Sequence, residues 1–337
     1  MTAIPDEERA KPSFVTEPDL RPGHERGRLE RFLSRSFGAP YGRNVDPQTV
    51  RGYPIDFRGK ANRLEMWPGF HERPGSELWV GAIQRGLGCH ERWVEGEGEE
   101  WLDSARKTAD LLVAQQRDDG TWMHTFHYPH TFAISPPWPS GMAQGEGASL
   151  LVRMHGATGE ESYRQAALRA LEPLYVPSDE GGAAAALDGG LVPEEYPTDP
   201  PSLVLNGLMF GLWGLRDVAV GLGDERARAG FDSGVDALVR CLGRWDTGNW
   251  SRYDLFPHRV TNVASTAYHL LHITQLDATG RLARRPELVA AAWRWVEYAE
   301  LRRNRGLAFA RKALFRLAEP RSARVARILP WVRGGEG

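Results

Sequence analysis

EEYPTDPPSLVLNGLMFGLWGLRD, residues Glu194–Asp217, divides into two unlike halves. In the first half, Pro197, Pro200 and Pro201, with Pro193 just before it, remove backbone donors and restrict the residues before them, so regular helix is excluded. In the second half, Leu203, Val204, Leu205, Leu208, Met209, Phe210, Leu212, Trp213 and Leu215 make the chain apolar on nearly every side, as a core helix is. A stiff polar loop thus delivers Glu194, Glu195 and Tyr196 to the start of a buried helix, which has the look of an acid/base site. The plainer alternative is that one of these carboxylates caps the helix or sits in solvent.

The 337 residues suffice for one large domain, or a main domain with an appendage. A formal charge of -2 gives no whole-chain attraction to nucleic acid. Cys89 and Cys241 are the only cysteines, which excludes a disulfide framework and fits reduced thiols. The first residues hold no apolar run of signal-peptide length, and no window is apolar enough to span a bilayer. The expected setting is therefore cytoplasmic. Twelve Trp and nine Tyr are a generous supply of flat faces for stacking on sugar rings, although most will be core.

Residues 1–40 are polar and rich in Pro and charge, with a short helix expected near Leu29–Phe37. A strand or two is expected between Val45 and Phe70. Helical periodicity then sets in, predicting helices near 77–94, 98–116, 142–156, 159–175, 201–221, 224–243, 261–277 and 286–303. Three hairpins end alike, at Asp118-Asp119-Gly120-Thr121-Trp122, Asp188-Gly189-Gly190-Leu191 and Asp246-Thr247-Gly248-Asn249-Trp250. The spacing of roughly 60 to 70 residues is one helical hairpin plus a turn. The expected fold is mostly α: an (α/α) toroid or barrel of helical hairpins over 73–303, with a small strand-containing N-terminal appendage (1–72) and a basic amphipathic tail (304–337). An open helical solenoid is the competing arrangement. A toroid gathers its loops at one mouth, where a chain-like ligand fits.

The first such loop carries Trp122, His124, His127 and His130. Histidines three apart share a helix face but alternate on an extended segment, so no metal is assigned, and Trp122 and His127 are read as packing or substrate contacts. The third loop, RWDTGNWSRYDLFPHR, brings Tyr253, and the helix after it places Tyr268 and His272 on one face with His269 adjacent. There is no Ser/His/Asp signature, phosphate-cradling loop or zinc spacing.

PSGMAQGEGASLLVR (Pro139–Arg153), EEYPTDPPSLVLNGLMFGLWGLRD, WDTGNWSRYDL (Trp245–Leu255) and TAYHLLHITQL (Thr266–Leu276) together resemble the C-terminal region of the D-glucuronyl C5-epimerases. The four motifs occur in the family's order. The resemblance implies an (α/α) barrel, no cofactor, a uronate-containing glycan as substrate, and a homodimer. It implies exchange of the proton on C5, taken from one face of the sugar and returned on the other. It places functional roles on Glu195, Tyr196, Tyr253 and Tyr268, with Glu195 and Tyr268 as the two proton-transfer groups and Tyr196 and Tyr253 orienting the uronate. Gln144, Glu194, Asn206, His258, Arg259, His269 and His272 are the further substrate-binding candidates. A tyrosine acting as base needs a nearby cation to bring its pKa down from about 10.

The chain departs from its relatives after Leu255, where the family often has Arg and this sequence has Phe256, then Pro257, His258 and Arg259. Either Arg259 or His258 substitutes, or recognition has changed. A lyase would share the abstraction of H5 but expel the O4 substituent. A hydrolase would need two carboxylates flanking the glycosidic bond. A non-catalytic uronate-binding protein is the remaining alternative. Between Arg302 and Arg333 there are ten Lys/Arg and one acid, Glu319, interleaved with apolar residues. Such a segment suits an anionic membrane surface, an anionic glycan, or packing on the barrel with a solvated basic face.

Overall fold

The computed structural model describes residues 46–61, 78–126, 130–132 and 134–320, together with the backbone of 39–42. The helix expected near Leu29–Phe37 lies outside the described residues. Two short strands, β1 (Ala39–Gly42) and β2 (Ile55–Asp56), pair antiparallel. Then follow α1 (Trp79–Val94), α2 (Glu99–Gln115), α3 (Gly141–Thr158), α4 (Glu161–Ala170), the hairpin β3 (Ala184–Leu187) and β4 (Gly190–Pro193), α5 (Leu205–Leu222), α6 (Glu225–Cys241), α7 (Thr266–Leu282), α8 (Pro286–Glu300) and α9 (Arg302–Ala318).

The helices form two layers. Each of α1, α3, α5 and α7 packs against the helix that follows it, and the four pack side by side in that order. The burial patterns follow from the sequences. α3 and α5 are apolar or glycine-rich all round and buried over most of their length, whereas α2 buries one stripe through Ala105, Ala109 and Leu112. α3 and α5 meet backbone to backbone: a Cβ on Gly145 would lie 2.5 Å from the Gly211 Cα, and one on Gly214 would lie 2.3 Å from the Gly145 Cα. Only glycine fits there. Ser140, Asp224 and Ser265 cap α3, α6 and α7 by accepting from Ala143 N, Ala227 N and Tyr268 N.

The three Asp/Gly/aromatic segments are turns with Gly120, Gly189 and Gly248 at positive φ. The second is the tip of the β3–β4 hairpin, and Trp122 and Trp250 of the other two are fully buried. Helical hairpins are therefore present as expected. The described helices make a two-layered row, and the extensive contact beyond α7 is with β1 rather than with α1. Residue 303, the expected end of the domain, lies in the first turn of α9, because α8 ends at Glu300 and a new helix starts at Arg302.

Candidate active site

The loop after β4 is shaped by Glu194. Its backbone bridges α3 and β3: Gly141 N donates to Glu194 O (2.7 Å), and Glu194 N donates to Ala183 O (2.9 Å). Its carboxylate accepts from Ser202 Oγ, from Leu203 N at 3.0 Å and from Tyr196 N at 3.4 Å. These bonds hold residues 196–204 in a tight lobe with Leu203 at φ 47°, so α5 starts at Leu205 and not at the expected 201. Burial raises the Glu194 pKa to about 7, against the pull of those three donors. Glu194 thus clamps the loop, and it does not line the cavity below.

The next residue, Glu195, lines a cavity of about 440 Å³ together with Tyr196, Asn206 and Tyr268. All four inner helices reach this cavity near their N-termini, through Val80 and Gln84 of α1, Met142 of α3, Asn206 and Phe210 of α5, and Tyr268 and Leu271 of α7. Helix N-termini carry partial positive charge and unpaired N–H groups, so the cavity favours an anion. Trp138, Phe126 and His124 form an aromatic wall, with Trp138 stacked on His124 at 4.0 Å.

Glu195 is pressed onto α5 at Gly207, where a Cβ would lie 2.4 Å from its Oε2. Asn206 Nδ2 donates to the same oxygen at 3.5 Å. Burial raises the Glu195 pKa to about 8, with Tyr196 opposing by a hydrogen bond and Glu194 adding repulsion. Tyr268 stands in the first turn of α7, edge-on to Tyr253 with ring centroids 4.9 Å apart. Tyr253 is buried behind that ring, and burial followed by Glu195 holds its hydroxyl well above the usual tyrosine range. Tyr196 stacks on His130 at 4.7 Å.

The other expected residues take different places. Gln144 is fully buried, with Oε1 accepting from Trp122 N and Nε2 donating to the carbonyls of Gly120 and Ala170 at 2.9 Å. Trp122 donates Nε1–H to Leu112 O and packs on Gly147. Both fasten the first loop and neither lines the cavity. His269 accepts from Ser251 N and donates to Trp295 O, sandwiched between Trp250 and Trp295. Burial lowers its pKa to about 3, and burial and neighbouring His269 hold His272 well below the usual histidine range. His258 lies 3.3 Å from Asp254 Oδ2 and stacks among Phe132, Phe256 and Phe315, while Arg259 is exposed. Neither is in the cavity wall. His127 lies outside the described residues.

Sequence reading missed two cations. Lys60, on a single 3-10 turn against α1, lines the cavity, and burial lowers its pKa to about 8. Behind it Glu146 is fully buried, with Gln84 Nε2 donating to its Oε1 at 2.9 Å; burial holds its pKa well above the usual range. Lys312 of α9 donates to Asn262 Oδ1 at 2.6 Å and sits 5.3 Å from the Tyr253 ring. Asn262 in turn donates to Asp254 Oδ2 at 2.6 Å. Both lysines lie outside the four motifs, so no local signal marks them. His124 accepts from Trp79 N at the start of α1 and donates to Trp138 O. Among the described residues no three His, Cys, Asp or Glu side chains gather as a metal site.

A family model described as D-glucuronyl C5-epimerase C-terminus matches residues 115–297, more than half of the chain. The chain belongs to that family. The matched span of the D-glucuronyl C5-epimerase family contains Glu195, Tyr196, Tyr253 and Tyr268 and leaves out Lys60 and α9. Among relatives, the chain is 33% identical over 209 residues to the D-glucuronyl C5-epimerase of Caenorhabditis elegans, covering 57% of this chain and 34% of that one. It is 25% identical over 202 residues to an uncharacterised protein of Methanocaldococcus jannaschii, covering 59% of this chain and 63% of the relative. The chain therefore spans less than two thirds of either relative's length.

Proposed function

We propose that the protein is a uronyl C5-epimerase, interconverting D-glucuronate and L-iduronate residues within a glycan. The observation that carries this reading is one cavity holding Glu195 and Tyr268 where four helix N-termini open. The convergence of four hairpins on that cavity also supports reading the row as part of an (α/α) toroid.

H5 of a uronate lies α to its carboxylate. Glu195 as carboxylate removes it, the C5–H electron pair passing into the C5–C6 bond and onto a carboxylate oxygen. Tyr268 then donates its phenolic proton to the opposite face of C5, re-forming a C–H bond with inverted configuration, and the reverse reaction exchanges the two roles. The hard species is the doubly charged enolate, which needs donors aimed at the carboxylate in a dry site. The helix N-termini and Lys60 supply that field, and Trp138 offers a face for the ring. A carboxyl with a pKa of about 8 is mostly protonated at neutral pH yet close enough to it to give the proton up at small cost, which suits a group that must both take and give one. Tyr196 and Tyr253 hold the sugar and the Tyr268 ring in register.

The test is deuterium incorporation at C5 of glucuronate-containing oligosaccharides in D2O, followed by NMR. Wild type should exchange and form iduronate, and Tyr268→Phe should lose a factor of about 10²–10⁴. Unsaturated uronate products would point to a lyase. Tight binding without any exchange would point to a glycan-binding protein.

A further inference from the structure

The last described helix turns its apolar residues outward. In α9, Asn304, Ala308 and Phe315 face the protein and are buried. On the opposite side, Phe309 is 75% exposed, Leu317 55%, Leu314 54% and Leu307 46%. With Ala310 and Ala313 between them they form one continuous solvent-facing stripe at helical spacing. A surface helix of a water-soluble protein ordinarily reverses that pattern.

The charge on α9 is one-sided. Arg302, Arg303, Arg305, Arg311, Lys312 and Arg316 are its cations, and no acid lies between Arg302 and Ala318. Arg302 and Arg303 are exposed in the first turn, where the helix dipole disfavours cations. Helix stability therefore gives no reason for them.

We propose that α9 is a docking face for an anionic lipid surface, lying in the interface with Phe309, Leu314 and Leu317 inserted and the arginines at headgroup level. The inference is independent of the epimerase reading. Charge decides between occupants: of the six cations only Arg302 and Arg303 are exposed, and a second copy seated on the same face would set them against their own kind, whereas an anionic bilayer answers both the apolar stripe and the charge. The side of α9 that carries Lys312 and Phe315 toward Tyr253 and His258 points away from the docking face, so seating on lipid leaves the cavity's supports in place. Among the described residues no helix is long and apolar enough to cross a membrane, which fits a helix that lies on the surface.

The experiment is flotation of the full chain with phosphatidylcholine vesicles, with and without roughly 30 mol% phosphatidylglycerol. Wild type should float with the anionic vesicles alone, and less well at roughly 0.5 M salt, where charges are screened. The triple variant Phe309→Ser, Leu314→Ser, Leu317→Ser should partition at least about tenfold more weakly. Arg302→Gln with Arg303→Gln should weaken binding by about tenfold or less. All five side chains are exposed, so the fold should persist, checked by circular dichroism. Failure of wild type to bind, or undiminished binding by the triple variant, would overturn the proposal. So would light scattering that shows a wild-type dimer lost in the triple variant without any vesicle binding, because the face would then join two copies.

Discussion

The two ends of the α3–α5 pair bury carboxylates in opposite ways. At the C-terminal end, Asp217 accepts from Arg153 at 2.6 Å and from Arg216 at 2.9 Å, and those guanidiniums also donate to the carbonyls of Gly52, Asp46 and Thr49. At the N-terminal end, Glu195 has a long bond from Asn206 on its Oε2 and a hydrogen bond with Tyr196 but no arginine among the described residues, and burial pushes its pKa to about 8. Asn206 Oδ1 and Gln275 Oε1 nearby are buried without partners. A carboxylate matched to two arginines ties the segment 46–52 to the helices. One left without a cation in contact takes up a proton readily, as a proton-transfer group must. The same helix pair is locked at one end and poised at the other.

The most damaging way to break this contrast is Asp217→Asn, which strands two buried guanidiniums. A loss of about 3–5 kcal/mol is expected, read from the urea midpoint at constant m-value. Glu195→Gln should do the reverse for stability while lowering kcat by about 10³-fold. A folded pKa of about 8 against an ordinary 4.5 means that Glu195 favours the folded state fully below pH 4.5, and that this contribution is lost as pH rises through 8. The Tm of Glu195→Gln should therefore overtake that of wild type progressively across that window in a calorimetric series. In wild type, kcat/KM should rise with pH through about 8, and identically in both directions, because the equilibrium between two epimers does not depend on pH. The smallest effect is expected of Lys60→Met, which keeps the stem and removes the cation. KM should rise about tenfold for a uronate and change little for the corresponding neutral methyl ester. Equal losses for both substrates would assign Lys60 to packing alone.

The residues of the site were legible in uneven measure. Glu195, Tyr196 and Tyr268 stand in motifs at a loop–helix junction, and the structure brings all three to one cavity. Glu194 looks identical to its neighbour in sequence, yet its carboxylate is spent on Ser202, Leu203 and Tyr196. Strand-like alternation on either side of a bridge sends adjacent side chains to different surroundings, and only the partners reveal which carboxylate is committed. The late start of α7 has a similar cause. Residues 261–264 pair with the segment around Ser251 and Arg252, so the helix waits for the cap at Ser265. His269 and Gln144 are substrate-binding candidates in the sequence because they stand in two of the motifs that carry the family resemblance. Each instead satisfies otherwise unpaired backbone groups, an obligation as strict as catalysis.

The sequence alone determined the helical hairpins, the turns that end them and the identity of the acid/base candidates. Periodicity, proline and glycine placement and short-range motifs are local properties, and local properties survive in a linear string. Tertiary structure alone decided that Lys60 and Lys312 approach the site from outside every motif, that Glu194 is a clamp, and that α9 turns its leucines outward. Burial, partner choice and the direction of a helix face depend on what packs from elsewhere in the chain, which no local pattern specifies.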